Sequence, residues 1–177
     1  NLTNLVASTG FCVLRPIDGY MEYLLAIVTS DKYTEKMCDI ASGGLYPAVN
    51  NSDVLSYDIF IPDKDFLHRV TQIYQQADKS GFDRLKSQFI EMFGDFHNKV
   101  QIKDVCLVVS GKSIPTKLED IDGNNPYIKV ADFNIPGNEK YITIAQRYVS
   151  DDSASYSKQI PEGSVIFAKN GAASMSN

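Results

Sequence analysis

Residues 63–97, DKDFLHRVTQIYQQADKSGFDRLKSQFIEMFGDFH, divide the chain into three parts. Phe66, Val70, Ile73 and Ala77 recur at alternating spacings of four and three, and Phe82, Leu85, Phe89 and Met92 repeat the pattern. That is the period of one apolar stripe on a helix. Asp63 or Asp65, just after Pro62, can cap its start, and Gly94 is its natural stop. The two stripes fall out of phase across Lys79, Ser80 and Gly81, so the stretch is either one kinked helix or two helices meeting at Gly81. A helix of ~28 residues runs ~42 Å and cannot bury its stripe on itself. It needs a partner surface.

Outward from this stretch the patterns change. In residues 1–62, FCVLRP (11–16) reads as a short strand stopped by proline. Tyr20, Met21, Leu24, Leu25 and Val28 follow helical spacing, and Ser30 and Asp31 can cap a second helix toward Ile40. Residues 41–47, ASGGLYP, form a loop, and YDIFIP (57–62) a strand. Residues 98–177 are mostly β. VCLVV (105–109), YIKVA (127–131) and VIFA (165–168) read as strands, and YITI (141–144) as a weaker one. Asn124, Pro126, Pro136, Gly137, Pro161 and Gly163 mark the turns between them. Ser42-Gly43-x-x-x-Pro47 and Ser110-Gly111-x-x-x-Pro115 share a spacing, a faint internal echo of a kind that chance also produces.

Composition bounds the class. The 177 residues are 44% hydrophobic and 22% charged, which excludes a disordered or low-complexity chain. No apolar stretch approaches the ~18–20 residues of a membrane span, and residues 1–4, NLTN, do not read as a signal peptide. The three cysteines, Cys12, Cys38 and Cys106, have no paired spacing, so the expected setting is a reducing cytoplasm. The net charge of −5 is uneven: residues 1–62 hold three basic and seven acidic side chains, residues 63–97 five and six, and residues 98–177 nine and nine. Any nucleic-acid binding must therefore use local patches or charge borrowed from a partner.

Catalytic patterns are missing. Residues 124–127, NNPY, brush against the Asn-Pro-Pro-Tyr motif of amino-methyltransferases, but the second proline is absent and no glycine-rich loop could hold S-adenosylmethionine. Ser110-Gly111-Lys112-Ser113 imitates the tail of a P-loop without its upstream glycine. His68 and His97 have no nucleophile motif beside them and read as solvated or capping residues. Glu119, Asp120 and Asp122 read as a solvated acidic loop rather than a cation site. From the residues alone the chain is a binding module; no metal or cofactor is expected.

The order of segments carries a resemblance. Residues 7–16, ASTGFCVLRP, resemble the "ASSGF-x-VLRP" stretch of type I restriction–modification specificity (S) subunits. A helical pair follows, and then residues 41–53, ASGGLYPAVNNSD, resemble that family's "GS-x-x-P-x-LN-x-SDL" loop. Residues 57–62 are similar to the strand before its spacer helix, and residues 87–95, SQFIEMFGD, to that helix's end. Residues 105–113, 126–133 and 161–171 are similar to the opening of the next target recognition domain. The chain thus resembles the second half of one recognition domain (1–62), a spacer helix (63–97) and the first half of the next (98–177). It departs from the family in lacking most of the segment that joins the halves, as a truncated product or a fragment would.

The resemblance implies an α+β fold: mostly β recognition-domain halves joined by a long spacer helix that pairs antiparallel with a partner helix. It implies a non-catalytic reader of double-stranded DNA acting with methylation and restriction subunits, and no membrane. Tyr46, Asn50, Asn51, Lys112, Ser113, Thr116, Lys117, Lys129, Asn134, Lys169 and Asn170 are the candidate DNA contacts, because Asn can pair with adenine and Lys with guanine or phosphate. Any one of them is equally an ordinary loop residue. Phe66, Val70, Ile73, Phe82, Leu85 and Phe89 are the candidate interface of a homodimer. In the expected dimer the first part of one chain pairs with the third part of the other; the competing geometry is a break near Ser80-Gly81 that lets one chain close on itself as a circular permutant. The alternative function is a scaffold that docks or regulates the other subunits through its helix.

Overall fold

The structure, a computed structural model, describes residues 2–17, 19–42, 48–77, 98–120 and 123–169. The fold is mixed α+β, and no described helix is long and apolar enough to cross a membrane.

Phe11, Cys12, Val13 and Leu14 form an uninterrupted apolar run, as a strand covered on both faces requires. They lie in β2 (Phe11–Pro16), the centre of a three-stranded antiparallel sheet. Its neighbours are β5 (Cys106–Ser110) and β9 (Val165–Ala168), with Val13 opposite Val109 and Ile166. Side chains alternate across a strand. Cys12 and Leu14 therefore join one core, with Leu24, Val54, Val70 and Ile102, while Phe11 and Val13 join another, with Ile128 and Ala168.

A second sheet has the order β1-β7-β8-β6, using β1 (Val6–Ala7), β6 (Glu119–Asp120), β7 (Asn125–Ile128) and β8 (Tyr148–Val149). β1 runs parallel to β7. The chain steps from this sheet into β2 through residues 8–10, where the Phe11 N–H donates to the Ser8 carbonyl at 3.3 Å. The remaining pair is β3 (Asp58–Phe60) with β4 (Lys99–Gln101).

Helix α1 (Met21–Val28) follows the expected spacing and α2 (Asp31–Ile40) the expected cap and end; a further short helix that the sequence pattern did not announce, α3 (Asn51–Leu55), lies between the expected loop and β3. Ser30 caps α2, its hydroxyl accepting from the Tyr33 N–H at 3.3 Å. Asp63 caps α4 (Lys64–Gln76) in the same way, accepting from Phe66 N–H at 2.7 Å.

Four expectations are corrected. The first is the swap: β2 pairs with β5 and β9 of its own chain, so the first and third parts close one domain in cis. The second is the place of the break: α4 ends at Gln76 with Ala77 extended, short of the expected meeting point at Gly81, so its 13 residues span ~20 Å; residues 78–97, which include Phe82, Leu85 and Phe89, lie outside the described residues. The third is the stripe. Val70 is 2% exposed in the chain's own core and Phe66 packs against that core, while Ile73 is 47% exposed. The buried register is Phe66, Val70 and Tyr74, not one leading to Ile73. The fourth concerns two strands. β7 stops at Ile128, because the Asp132 carboxylate accepts from the Lys129 N–H at 2.7 Å and turns the chain into the 3-10 segment Val130–Asn134. Residues 141–144 are not a strand. The buried Asn138 accepts from the Thr143 and Ile144 N–H groups at 2.9 and 3.0 Å, and donates to the Asp132 and Ile144 carbonyls at 2.8 Å.

Closure in cis makes a stability prediction. Leu14→Ala removes a fully buried side chain between the parts and should cost about 2–5 kcal/mol in chemical denaturation. Ile73→Ala should change stability by less than about 0.5 kcal/mol, independently of protein concentration.

Candidate nucleic-acid interface

The end of the β5-β2-β9 sheet gathers residues distant in sequence. β5 finishes at Ser110, β9 at Ala168, and β2 begins between them, with the Lys169 N–H donating to the Gly10 carbonyl at 2.9 Å. Asn51, at the first turn of α3, spans the gap. Its amide donates to Ser110 Oγ at 2.5 Å and its carbonyl oxygen accepts from Lys169 Nζ at 3.2 Å. The Val49 N–H donates to the Lys169 carbonyl at 3.1 Å, fixing the loop behind Asn51. On the β5 side, Thr9 and Ser113 share a hydroxyl–hydroxyl bond of 3.0 Å, and the Lys112 N–H donates to Ser157 Oγ at 3.0 Å. Thr9, Lys112 and Ser113 are exposed.

Gly111 makes this geometry possible. A Cβ there would lie 2.1 Å from the Ala7 carbonyl oxygen and 2.5 Å from that of Ser8. The loop after β5 therefore lies directly on the turn between the two sheets, and a side chain would lift it away.

The cations divide into two kinds. Lys129 Nζ donates to Glu119 Oε1 at 2.5 Å and lies 5.7 Å from the centre of the Tyr127 ring. Arg147 lies 3.4 Å from Glu119 and 3.6 Å from the buried Asp132. Two carboxylates thus offset these two cations. Glu119 is accordingly part of a buried-edge ion network and not of a solvated acidic loop. Lys112 and Lys169 have no carboxylate partner among the described residues. Cation without a counter-ion is what a phosphate replaces water for.

Of the candidate DNA contacts, then, Asn51, Lys112, Ser113 and Lys169 are brought together. Asn50 is exposed beside them at the start of α3, its N–H donating to Asp53 Oδ2 at 2.7 Å. Thr116 and Lys117 are exposed on the 3-10 turn Thr116–Leu118, and Asn134 is exposed at the end of its own 3-10 segment; none of the three joins the cluster's hydrogen bonds. Lys129 is paired with Glu119 and stands apart from this cluster. Tyr46 and Asn170 lie outside the described residues. Asn51 bridges Ser110 and Lys169 through the two ends of its amide, which leaves one N–H and one lone pair of that amide for a further partner. Sequence reasoning missed Thr9 and Ser110 as participants, although both stand inside quoted motifs. It also missed Arg147 and Asn138, for which the sequence carries no local signal.

Other chemistry is muted. Burial pushes the Cys12 thiol up to about 12 and the Cys106 thiol up to about 11, so neither forms a thiolate near neutral pH. Among the described residues no group of three His, Cys, Asp or Glu side chains gathers as metal ligands. A groove of about 620 Å³ between α1, α2 and the β3-β4 pair has a rim of both signs, with Lys32, Lys36 and Lys99 against Glu35, Asp39 and Asp58. Such a rim offers a polyanion no net attraction.

No family model matches the chain, and neither does any curated protein or solved structure.

Gly111→Ala should cost about 1–3 kcal/mol in equilibrium unfolding, because backbone and not a flexible side chain occupies the space. The Thr9–Ser113 contact should loosen with it, read as faster amide hydrogen exchange at Lys112.

Proposed function

We propose that this chain is a non-catalytic DNA-sequence recognition module of the type I restriction–modification kind, acting in the cytoplasm with methylation and restriction subunits. One observation supports the reading most. Lys112 and Lys169, from opposite edges of one sheet, stand without carboxylate partners among the described residues, around a cluster of amide and hydroxyl groups. Phosphate contacts position a reader, and polar side chains at base edges specify the sequence. The cluster supplies the first from Lys112 and Lys169. Asn50, Thr9 and Ser113 supply exposed polar groups for the second. Cis closure fits the reading, since a self-closed chain carries both halves of a recognition domain. The net charge of −5 makes autonomous binding weak, so the methylation subunits supply the remaining phosphate neutralisation. The scaffold alternative relied on the apolar face of the central helix; Phe66 and Val70 face the chain's own core, which leaves that alternative only Ile73 among the described members of its stripe.

Fluorescence anisotropy with a pool of short duplexes, at low salt, with and without methylation subunits, tests the proposal. Binding should fall as salt rises. Lys112→Ala and Lys169→Ala should each reduce the slope of log K against log salt by about 1. Lys129→Ala should leave the slope unchanged and lower thermal stability instead. Absence of binding in both settings rejects the reading.

A further inference from the structure

Helix α4 ends at Gln76, short of the break that its sequence pattern places at Gly81. Gln75, Gln76 and Ala77 are good helix formers, and the first glycine downstream is Gly81. Yet the last helical residue is Gln76, and Ala77 is extended at φ −69° and ψ 123°. The last turn carries no basic residue of its own to satisfy its carbonyls. The donor comes from the third part of the chain: Lys140 Nζ donates to the Tyr74 carbonyl, and to the Ala77 carbonyl at 3.4 Å. A cation at this end also meets the negative pole of the helix dipole.

The lysine is held from two sides. Its ammonium lies 5.1 Å from the centre of the Tyr141 ring. The carboxylate of Glu22, buried in α1, favours its charged form against the desolvation that lowers its pKa. Glu22 in turn accepts from Thr71 Oγ1 of α4 at 3.2 Å. All three parts of the chain therefore meet around one ammonium group. The Tyr74 carbonyl matters most, because it is the acceptor that an amide four residues on would use to continue the helix.

We propose that Lys140 is the stop of α4: by occupying the Tyr74 carbonyl it turns the chain out of the helix at Ala77 and so keeps the first and third parts of one chain in one domain. A helix continued past Ala77 adds ~1.5 Å per residue and carries those parts away from each other. Two chains would then complete each other's β5-β2-β9 sheet. Lys140 thus selects between the self-closed chain and an exchanged dimer, without touching the candidate DNA surface.

The test uses the full chain with Lys140→Met, reading the backbone carbon shifts of Ala77 by NMR and the mass by sedimentation. The shifts should move from extended to helical values, and the monomer–dimer constant should move toward dimer by about tenfold or more, the scale of hydrogen bonds lost from a charged donor. Adding Asp78→Pro should reverse both effects, because the residue before a proline is driven to extended backbone whether or not Lys140 is present. If Lys140→Met alone unfolds, a folded, monomeric double variant upholds the proposal. Ala77 remaining extended in Lys140→Met, a helical Ala77 in a chain that stays monomeric, a dimer that persists in the double variant, or failure of both variants to fold overturns it.

Discussion

The structure depends on strand β2 having to bury both of its faces. Phe11, Cys12, Val13 and Leu14 are all essentially inaccessible, and a strand covered on both sides must also be paired on both edges, because water cannot reach its backbone. Its two partners, β5 and β9, lie beyond the central helix, ninety or more positions along the chain. Everything that separates the first part from the third must therefore allow them to return to one another. The end of α4 at Gln76 is what this requirement looks like locally.

The same pairing builds the candidate site. Where β5 and β9 flank the start of β2, their ends release two loops side by side, and Asn51 closes the space between them from a third direction. A sheet end of this kind collects side chains that no local motif could place together. It is held by backbone, through Gly111 lying on residues 7 and 8, so the polar groups stand on a rigid support. Three cations elsewhere are already committed: Lys129 and Arg147 to Glu119 and Asp132, and Lys140 to the end of α4. Which lysines face solvent without a counter-ion follows from that distribution and not from net charge.

The resemblance to specificity subunits rests on the order of segments, and the structure gives several of those segments physical work. Residues 7–16 form the junction of two sheets and the central strand. The Ser110-Gly111 pair makes the close approach at the sheet end. The echo between Ser42-Gly43 and Ser110-Gly111 gains a neighbouring contact: the helix that follows the first loop reaches the second through the Asn51–Ser110 bond.

Much of the local structure was legible in the sequence. The apolar run of β2, the caps at Ser30 and Asp63, and the helical spacing of α1 and α2 are decided by interactions within a few residues, and these the chain carries wherever it folds. The lysines and asparagines of the loops could likewise be picked out by type. Their pairing could not. Lys129 and Lys169 look alike in sequence, and only the placement of Glu119 beside one and of Asn51 beside the other tells them apart. Residues 141–144 have the composition of a strand, yet Asn138 takes the hydrogen bonds a neighbouring strand would have made. Ala77 belongs by propensity to a helix yet is extended, and Lys140, sixty-three positions on, donates to its carbonyl and to that of Tyr74. Tertiary structure decided these points because each turns on a competition between a local partner and a distant one, and the distant one won.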